Sequence, residues 1–143
     1  MSDRYARQMV LPEIGAAGQA RLAAASVVVV GAGGLGCPVL QYLAGAGVGR
    51  LVIVDHDRVE ETNLHRQPLY TMADIGKLKA EAAAAALRRF NSGIAVDIVA
   101  ERLTPQNATV LVAGADLVVD AADSFAVTYV LSDACLAIGK PMI

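Results

Sequence analysis

Apolar residues along the chain fall into short unbroken runs, separated by longer stretches in which apolar and polar positions alternate with helical spacing. Four runs predict strands: Ser26-Val27-Val28-Val29-Val30, Leu51-Val52-Ile53-Val54-Asp55, Ile94 to Arg102, and Leu117-Val118-Val119-Asp120-Ala121. The first is apolar almost throughout, as expected of a strand covered on both faces. Between them the pattern predicts a helix from Leu35 to about Ala46, ended by Gly47 and Gly49. A second helix runs from Lys77 to Phe90 and closes at Asn91-Ser92-Gly93. Thr104 as N-cap with Pro105 in the first turn opens a short helix to Val112. A last helix spans Phe125 to Ile138, and Gly139 to Ile143 reads as a turn leading into a fifth strand. Residues 1–25 form a helical N-terminal segment ahead of the first strand, and residues 26–143 form one domain. One connection stands apart: His56 to about Gly76 is polar and long, and such connections in compact domains are usually functional or disordered.

Strand and helix in strict alternation imply parallel pairing through right-handed crossovers. The expected fold class is α/β: a three-layer, Rossmann-like, doubly wound sheet, mainly parallel, that stops before its C-terminal strands. Ligands of such sheets bind outside the carboxyl ends of the strands. The polar residues of interest lie there: Gly31 to Gly36 after the first strand, Asp55 and Asp57 after the second, Asp120 and Asp123 after the fourth.

Composition narrows the possibilities. The chain has 143 residues, 55% apolar and 18% charged, which is enough for one well-buried core. A net charge of −2 gives no electrostatic footprint for nucleic acid, and aromatics at 4% with no tryptophan offer no base-stacking platform. No run is long and apolar enough to cross a membrane, and the first residues lack a signal-peptide core, so a cytoplasmic location is expected. Cys37 and Cys135 form no disulfide framework and are expected as reduced core residues.

Gly31, Gly33 and Gly36 satisfy G-x-G-x-x-G between a strand and a helix, with Gly34 a further glycine of the turn. Without side chains, the backbone turns tightly and approaches a phosphate or ribose, and the following helix N-terminus adds partial positive charge. Asp55 lies 19 residues after Gly36, where a carboxylate accepts ribose hydroxyls. This combination predicts an adenosine nucleotide, and a nicotinamide-dependent dehydrogenase is its usual bearer. A Walker A loop is absent. The polar segment adds groups that a dehydrogenase does not need: Asn63, Arg66 and Gln67, with Lys79 shortly after. Arg66 and Lys79 are suited to polyphosphate, and Asn63 and Gln67 supply neutral hydrogen bonds.

The chain resembles the E1-like activating enzymes of the bacterial ThiF/MoeB/HesA type along essentially its whole length. The resemblance rests on Arg4-Tyr5-Ala6-Arg7-Gln8, Leu11-Pro12, Gly15 to Gln19, Val30 to Gly36, Tyr42-Leu43-Ala44 and Ala46-Gly47-Val48-Gly49. It continues through Asp55-x-Asp57-x-Val59, Asn63-Leu64-x-Arg66-Gln67, Ile75-Gly76-x-x-Lys79 and Asp120-x-x-Asp123. It implies ATP-dependent adenylation of the C-terminal glycine of a small ubiquitin-like sulfur carrier, with release of pyrophosphate. It also implies that Gly34 lines the adenosine pocket, that Asp55 holds the ribose, and that Asn63, Arg66 and Lys79 meet the phosphates. Asp123 would hold Mg2+. Arg7 would reach into a neighbouring subunit's site, making a homodimer with composite sites to which residues 1–25 contribute.

Three features depart from the family pattern. Thr62 stands where a serine is common, and Ser124 and Thr128 stand where asparagine and arginine are common. No C-x-x-C pair is present, so zinc is not expected in this stretch. His65 borders the pocket or is a solvated loop residue. The other readings are an NAD-dependent oxidoreductase and a nucleotide-binding fragment without turnover. Because the chain ends as a fifth strand begins, it is expected to be the N-terminal, ATP-binding part of a longer protein.

Overall fold

The computed structural model describes residues 3–143; residues 1 and 2 of the N-terminal segment lie outside that range. That segment is helical: a 3-10 turn at Asp3–Tyr5, then α1 (Ala6–Met9) and α2 (Gly15–Ala24). The domain follows as β1 (Ser26–Val30), α3 (Gly36–Ala46), β2 (Arg50–Val54), α4 (Lys79–Phe90), β3 (Ala95–Val99), α5 (Ala108–Val112), β4 (Leu117–Asp120) and α6 (Phe125–Ala137).

The four strands form one parallel sheet in the order β3-β2-β1-β4. The two-residue periodicity of each strand separates two cores. Val27, Val29, Leu51 and Ile53 point to one face and pack with Leu40 and Ala44 of α3 and Ala80, Ala83 and Leu87 of α4. Val28, Val30, Val52 and Val54 point to the other, against Ala108 and Val112 of α5 and Leu131, Ala134 and Cys135 of α6. Both faces being covered explains why the strands read as continuous apolar runs rather than alternating ones. The fold is thus the three-layer parallel α/β architecture that the sequence pattern predicts. The residues after Gly139 begin to pair as well: Val118 bridges Met142 in parallel, and Ile143 N–H donates to Val118 O at 3.0 Å.

Three boundaries differ from the sequence expectation by two residues or more. Helix α4 starts at Lys79 rather than Lys77, because Leu78 bridges Arg58 and Val59 N–H donates to Lys77 O at 2.9 Å. Helix α5 starts at Ala108, because Pro105 to Asn107 form a turn in which Asn107 Oδ1 accepts the Thr104 N–H at 2.8 Å. Asn107, not Thr104, is therefore the residue that precedes the helix, and no side chain caps its first turn. Strand β3 is confined to Ala95–Val99, so Glu101 and Arg102 leave the sheet.

Helix α3 ends where expected. Gly47 adopts φ +84°, and the Val48 N–H reaches back to Leu43 O at 3.1 Å, closing the last turn. The N-terminal segment docks on this end of α3. Gln8 Nε2 donates to Ala46 O at 2.8 Å and Gln19 Nε2 donates to the same oxygen at 3.1 Å. Asn91 Nδ2 at the end of α4 donates to Tyr5 Oη and to Ala44 O, each at 2.8 Å. Gly47 is needed here for space too, since a Cβ would lie 2.6 Å from the Tyr5 ring.

Candidate functional site

A cavity of about 660 Å³ opens at the carboxyl ends of all four strands, beside the point where the chain reverses its order across the sheet between β1 and β4. The strand ends are close there: a Cβ on Gly31, which has φ +99°, would lie 2.5 Å from Ala121 O. Of the expected site residues, Gly31, Gly33, Gly34, Asp55, Asp57, Arg66, Gln67, Lys79 and Asp123 border this cavity. Gly36 does not; it begins α3, and a Cβ there would lie 1.9 Å from Gly31 O, so it packs the turn rather than facing a ligand. Asn63 is not among the lining residues; its Oδ1 accepts from Arg66 Nη2 at 3.4 Å. His65 is exposed outside the lining, with a ring nitrogen 3.1 Å from Thr62 O.

The glycine turn is held from below. Asp55 is buried at the end of β2, and its Oδ2 accepts the Ala32 N–H at 2.8 Å while Oδ1 accepts the Asp57 N–H at 2.8 Å. Each oxygen keeps a further acceptor position, so the carboxylate is fixed in orientation without being used up. On the other side of the same residue, Ala32 O accepts from Tyr70 Oη at 2.6 Å and from Cys37 Sγ at 3.4 Å. Burial pushes the Cys37 thiol and the Tyr70 phenol above their ordinary ranges, so both stay protonated and donate.

The polar connection after β2 is a closed loop built on its own bonds. Arg58 and Leu78 bridge at its base, Arg58 Nη1 donates to Gly76 O at 2.7 Å, and Thr71 and Asp74 cap the 3-10 turn Met72–Asp74 reciprocally. This loop delivers two different groups. The Arg66 side chain lies against Gly34, where a Cβ would come within 2.7 Å of Nη1. Gln67 is 1% exposed, yet its Oε1 has no hydrogen-bond partner among the described residues. Lys79 comes from the first turn of α4, with its side chain 8% exposed and Nζ 3.6 Å from Asp57 Oδ2.

Across the cavity, the turn after β4 is organised by Asp120. Its Oδ1 accepts the Ala122 N–H at 3.1 Å and its Oδ2 accepts from Thr128 Oγ1 at 2.5 Å. Thr128, which departs from the family pattern, is thus employed in holding that turn. Asp123 stands beyond it, exposed, with no hydrogen-bond or ion-pair partner among the described residues. A single free carboxylate is a donor of the kind that suits Mg2+, which takes few protein ligands and completes its shell with water and phosphate oxygens. Among the described residues no three His, Cys, Asp or Glu side chains gather as for a metal held by protein alone.

Several lining residues escape sequence reasoning. Glu101, Arg102 and Leu103 line the cavity because β3 ends early, and Val30, Val54 and Val127 give it an apolar side. With these included, the lining carries three cations, Arg66, Lys79 and Arg102, against four carboxylates, Asp55, Asp57, Glu101 and Asp123. Arg7 is elsewhere. It is exposed on α1, next to Gln8, which holds the Ala46 end of α3, whereas the cavity is at the Gly36 end. The axial length of α3 between those ends is about 15 Å.

Comparison with known proteins completes the picture. The ThiF family model matches residues 5–143. A sulfur carrier protein adenylyltransferase of Thermus thermophilus is 54% identical over 141 residues, covering 99% of this chain and 52% of the relative. The bovine adenylyltransferase and sulfurtransferase MOCS3 is 54% identical over 140 residues, covering 98% of this chain and 31% of the relative. The chain therefore spans about half or less of the length of these relatives. Among solved structures, the E. coli tRNA N6-threonylcarbamoyladenosine dehydratase TcdA in complex with ATP superposes with a TM-score of 0.92 at 30% identity, covering 98% of this chain and 57% of that one. E. coli MccB with AMPCPP and MccA superposes with a TM-score of 0.90 at 33% identity, covering 99% of this chain and 42% of that one.

Proposed function

The chain belongs to the ThiF family, and we propose that it is the ATP-binding part of an adenylyltransferase that activates the C-terminal glycine of a ubiquitin-like sulfur carrier. The observation that carries this reading is the pairing of a pinned ribose acceptor, Asp55, with phosphate-directed groups, Arg66 and Lys79, in one cavity. The free Gln67 Oε1 and the side-chain-free floor at Gly34 supply an unused acceptor and the space for a nucleotide. The relatives' names as adenylyltransferases support the same assignment.

In this reaction a carboxylate oxygen of the carrier's terminal glycine attacks the α-phosphorus of ATP. The bond from that phosphorus to the bridging oxygen breaks, and pyrophosphate leaves with the electron pair. An acyl adenylate remains. The nucleophile comes from the substrate, so the chain needs no serine or cysteine of its own for this step. Its task is to align the phosphates and offset the charge that builds on the leaving group. Arg66 and Lys79 are the groups we assign to that task, with Asn63 steadying the Arg66 guanidinium and Gln67 accepting a ligand hydrogen bond. Mg2+, when bound at Asp123, would supply further positive charge at the phosphates.

The charge balance of the lining supports a site completed from outside. Four carboxylates outnumber three cations before a triphosphate arrives. A metal ion and a further cation would offset part of this excess negative charge. Arg7 does not line the cavity of its own chain, and it lies next to Gln8, which is held at the far end of α3. We therefore assign Arg7 to the site of a second subunit in a homodimer, with residues 1–25 carrying it across. The carrier partner ends in a diglycine, and the reading places the enzyme in the cytoplasm.

The test is ATP–pyrophosphate exchange with a panel of diglycine-ended carrier proteins. Carrier-dependent exchange is expected. Tight NAD(H) binding without Mg-ATP binding would overturn the reading in favour of an oxidoreductase. Nucleotide binding without exchange for any carrier would leave a binding module.

A further inference from the structure

The polar loop and the glycine turn meet at one buried contact that the proposed chemistry does not use. Tyr70 is 5% exposed, does not border the cavity, and donates its hydroxyl to Ala32 O at 2.6 Å. Asp55 takes the N–H of the same residue. Ala32 is thus clamped from both sides, between Gly31, whose N–H donates to Val54 O at 2.9 Å, and Gly33, whose carbonyl accepts the Cys37 N–H at 2.9 Å.

Peptide geometry gives the clamp a consequence. The peptide bond between Ala32 and Gly33 is trans, so its C=O and N–H point in opposite directions. Holding the carbonyl towards buried Tyr70 turns the Gly33 N–H the other way. Gly33 borders the cavity, and its N–H has no acceptor among the described residues. A buried donor-only contact therefore presents an unpaired donor to the ligand space.

We infer that Tyr70 is a positioning residue: its hydroxyl fixes the Ala32–Gly33 peptide so that the Gly33 N–H donates to the bound nucleotide. This rests on the nucleotide reading of the cavity. It also couples two segments, since Tyr70 lies three residues beyond Gln67 and four beyond Arg66 on the same loop. Displacing that loop releases the turn and withdraws Arg66 and Gln67 with it. Cys37, whose Sγ lies 3.4 Å from the same oxygen, is too weak a donor to replace the phenol.

The experiment compares intact protein with Tyr70→Phe, which removes only the hydroxyl. Two readouts are taken: amide hydrogen exchange of the peptide spanning Gly31–Gly36 without ligand, and the dissociation constant for ATP by titration calorimetry. The variant should exchange faster over the turn and bind ATP about tenfold more weakly, the size of one well-placed hydrogen bond. Cys37→Ser in the Tyr70→Phe background puts an O–H donor beside the same carbonyl and should recover part of the affinity. Faster exchange with an unchanged dissociation constant would make Tyr70 a structural residue and overturn its positioning role. Unchanged exchange would show that the clamp does not depend on the phenol and overturn it also. If the unsubstituted protein binds no ATP, the nucleotide reading itself fails, and the positioning role with it.

Discussion

Asp55 Oδ2 accepts the backbone N–H of Ala32 at 2.8 Å, joining the end of the second strand to the middle of the glycine turn. The residue expected to hold the ribose therefore also shapes the turn. Asp55→Asn separates the two roles only in part. One of the two backbone donors, Ala32 N–H or Asp57 N–H, then faces an amide NH2. A buried donor left without an acceptor costs about 1–3 kcal/mol. The variant should unfold at lower denaturant concentration and also bind ATP more weakly. Denaturant titration and calorimetry on the same samples check both, and full stability with lost binding would show that Asp55 serves the ligand alone.

The glycines of the turn should fail in different ways. At Gly36 an added Cβ meets Gly31 O at 1.9 Å, and a backbone atom in a packed turn cannot move aside. Gly36→Ala should cost about 3 kcal/mol or more and yield little folded protein. At Gly34 the obstacle is Arg66 Nη1 at 2.7 Å, the far end of a flexible side chain. Gly34→Ala should fold with nearly unchanged thermal stability and lose nucleotide affinity because Arg66 is pushed off its place. Melting curves beside ATP titrations distinguish the two outcomes.

Asp123→Ala should leave the fold intact. The side chain is exposed and bonds to nothing among the described residues, so its loss should stay within about 0.5 kcal/mol. ATP–pyrophosphate exchange should fall steeply, and raising Mg2+ should not restore it. Unchanged exchange would remove Asp123 from the metal site.

How far the chain could be read in advance follows from where each property is encoded. The strands were legible because valine runs such as Val27 to Val30 are buried on both faces, which leaves one interpretation. The glycine turn and Asp55 were legible because their spacing is local. The start of α4 was not, because Lys77 and Leu78 satisfy helical periodicity equally well, yet pair with Val59 and Arg58. Nor was the start of α5, where the Asn107 side chain turns back to the Thr104 N–H and holds Pro105 to Asn107 in a turn ahead of the helix. Glu101 to Leu103 enter the cavity only because β3 ends at Val99. Tyr70 contacts Ala32 across 38 residues, and a tyrosine in a polar loop carries no local sign of that partner.

Lys79 separates activity from stability. Its ammonium is nearly buried, and its acidic neighbour Asp57, 3.6 Å away, is itself more than half exposed. Removing the charge leaves Asp57 to water and relieves the cost of burying an ammonium group. Lys79→Met, which keeps the length of the chain, should stay within about 1 kcal/mol of the unsubstituted protein. The exchange reaction should fall about 100-fold or more, as for other groups that meet developing charge. A large loss of stability with modest loss of exchange would assign Lys79 to the fold instead.

Lys79 and Arg7 together test the composite site. Lys79 lines the cavity of its own chain, while Arg7 lies next to Gln8, which is held at the opposite end of α3. If Arg7 serves a second subunit, Arg7→Ala and Lys79→Ala proteins are each inactive alone but complement when subunits are exchanged. Half of a randomly mixed population is then heterodimer. Each heterodimer has one site with both residues intact and one with neither. Full exchange should therefore restore about a quarter of the sites of the unsubstituted enzyme. Unfolding and refolding the mixture together, then measuring ATP–pyrophosphate exchange against each variant alone, reads this directly. If Arg7 acted within its own chain, each heterodimer site would lack one residue and the mixture would stay as inactive as its components.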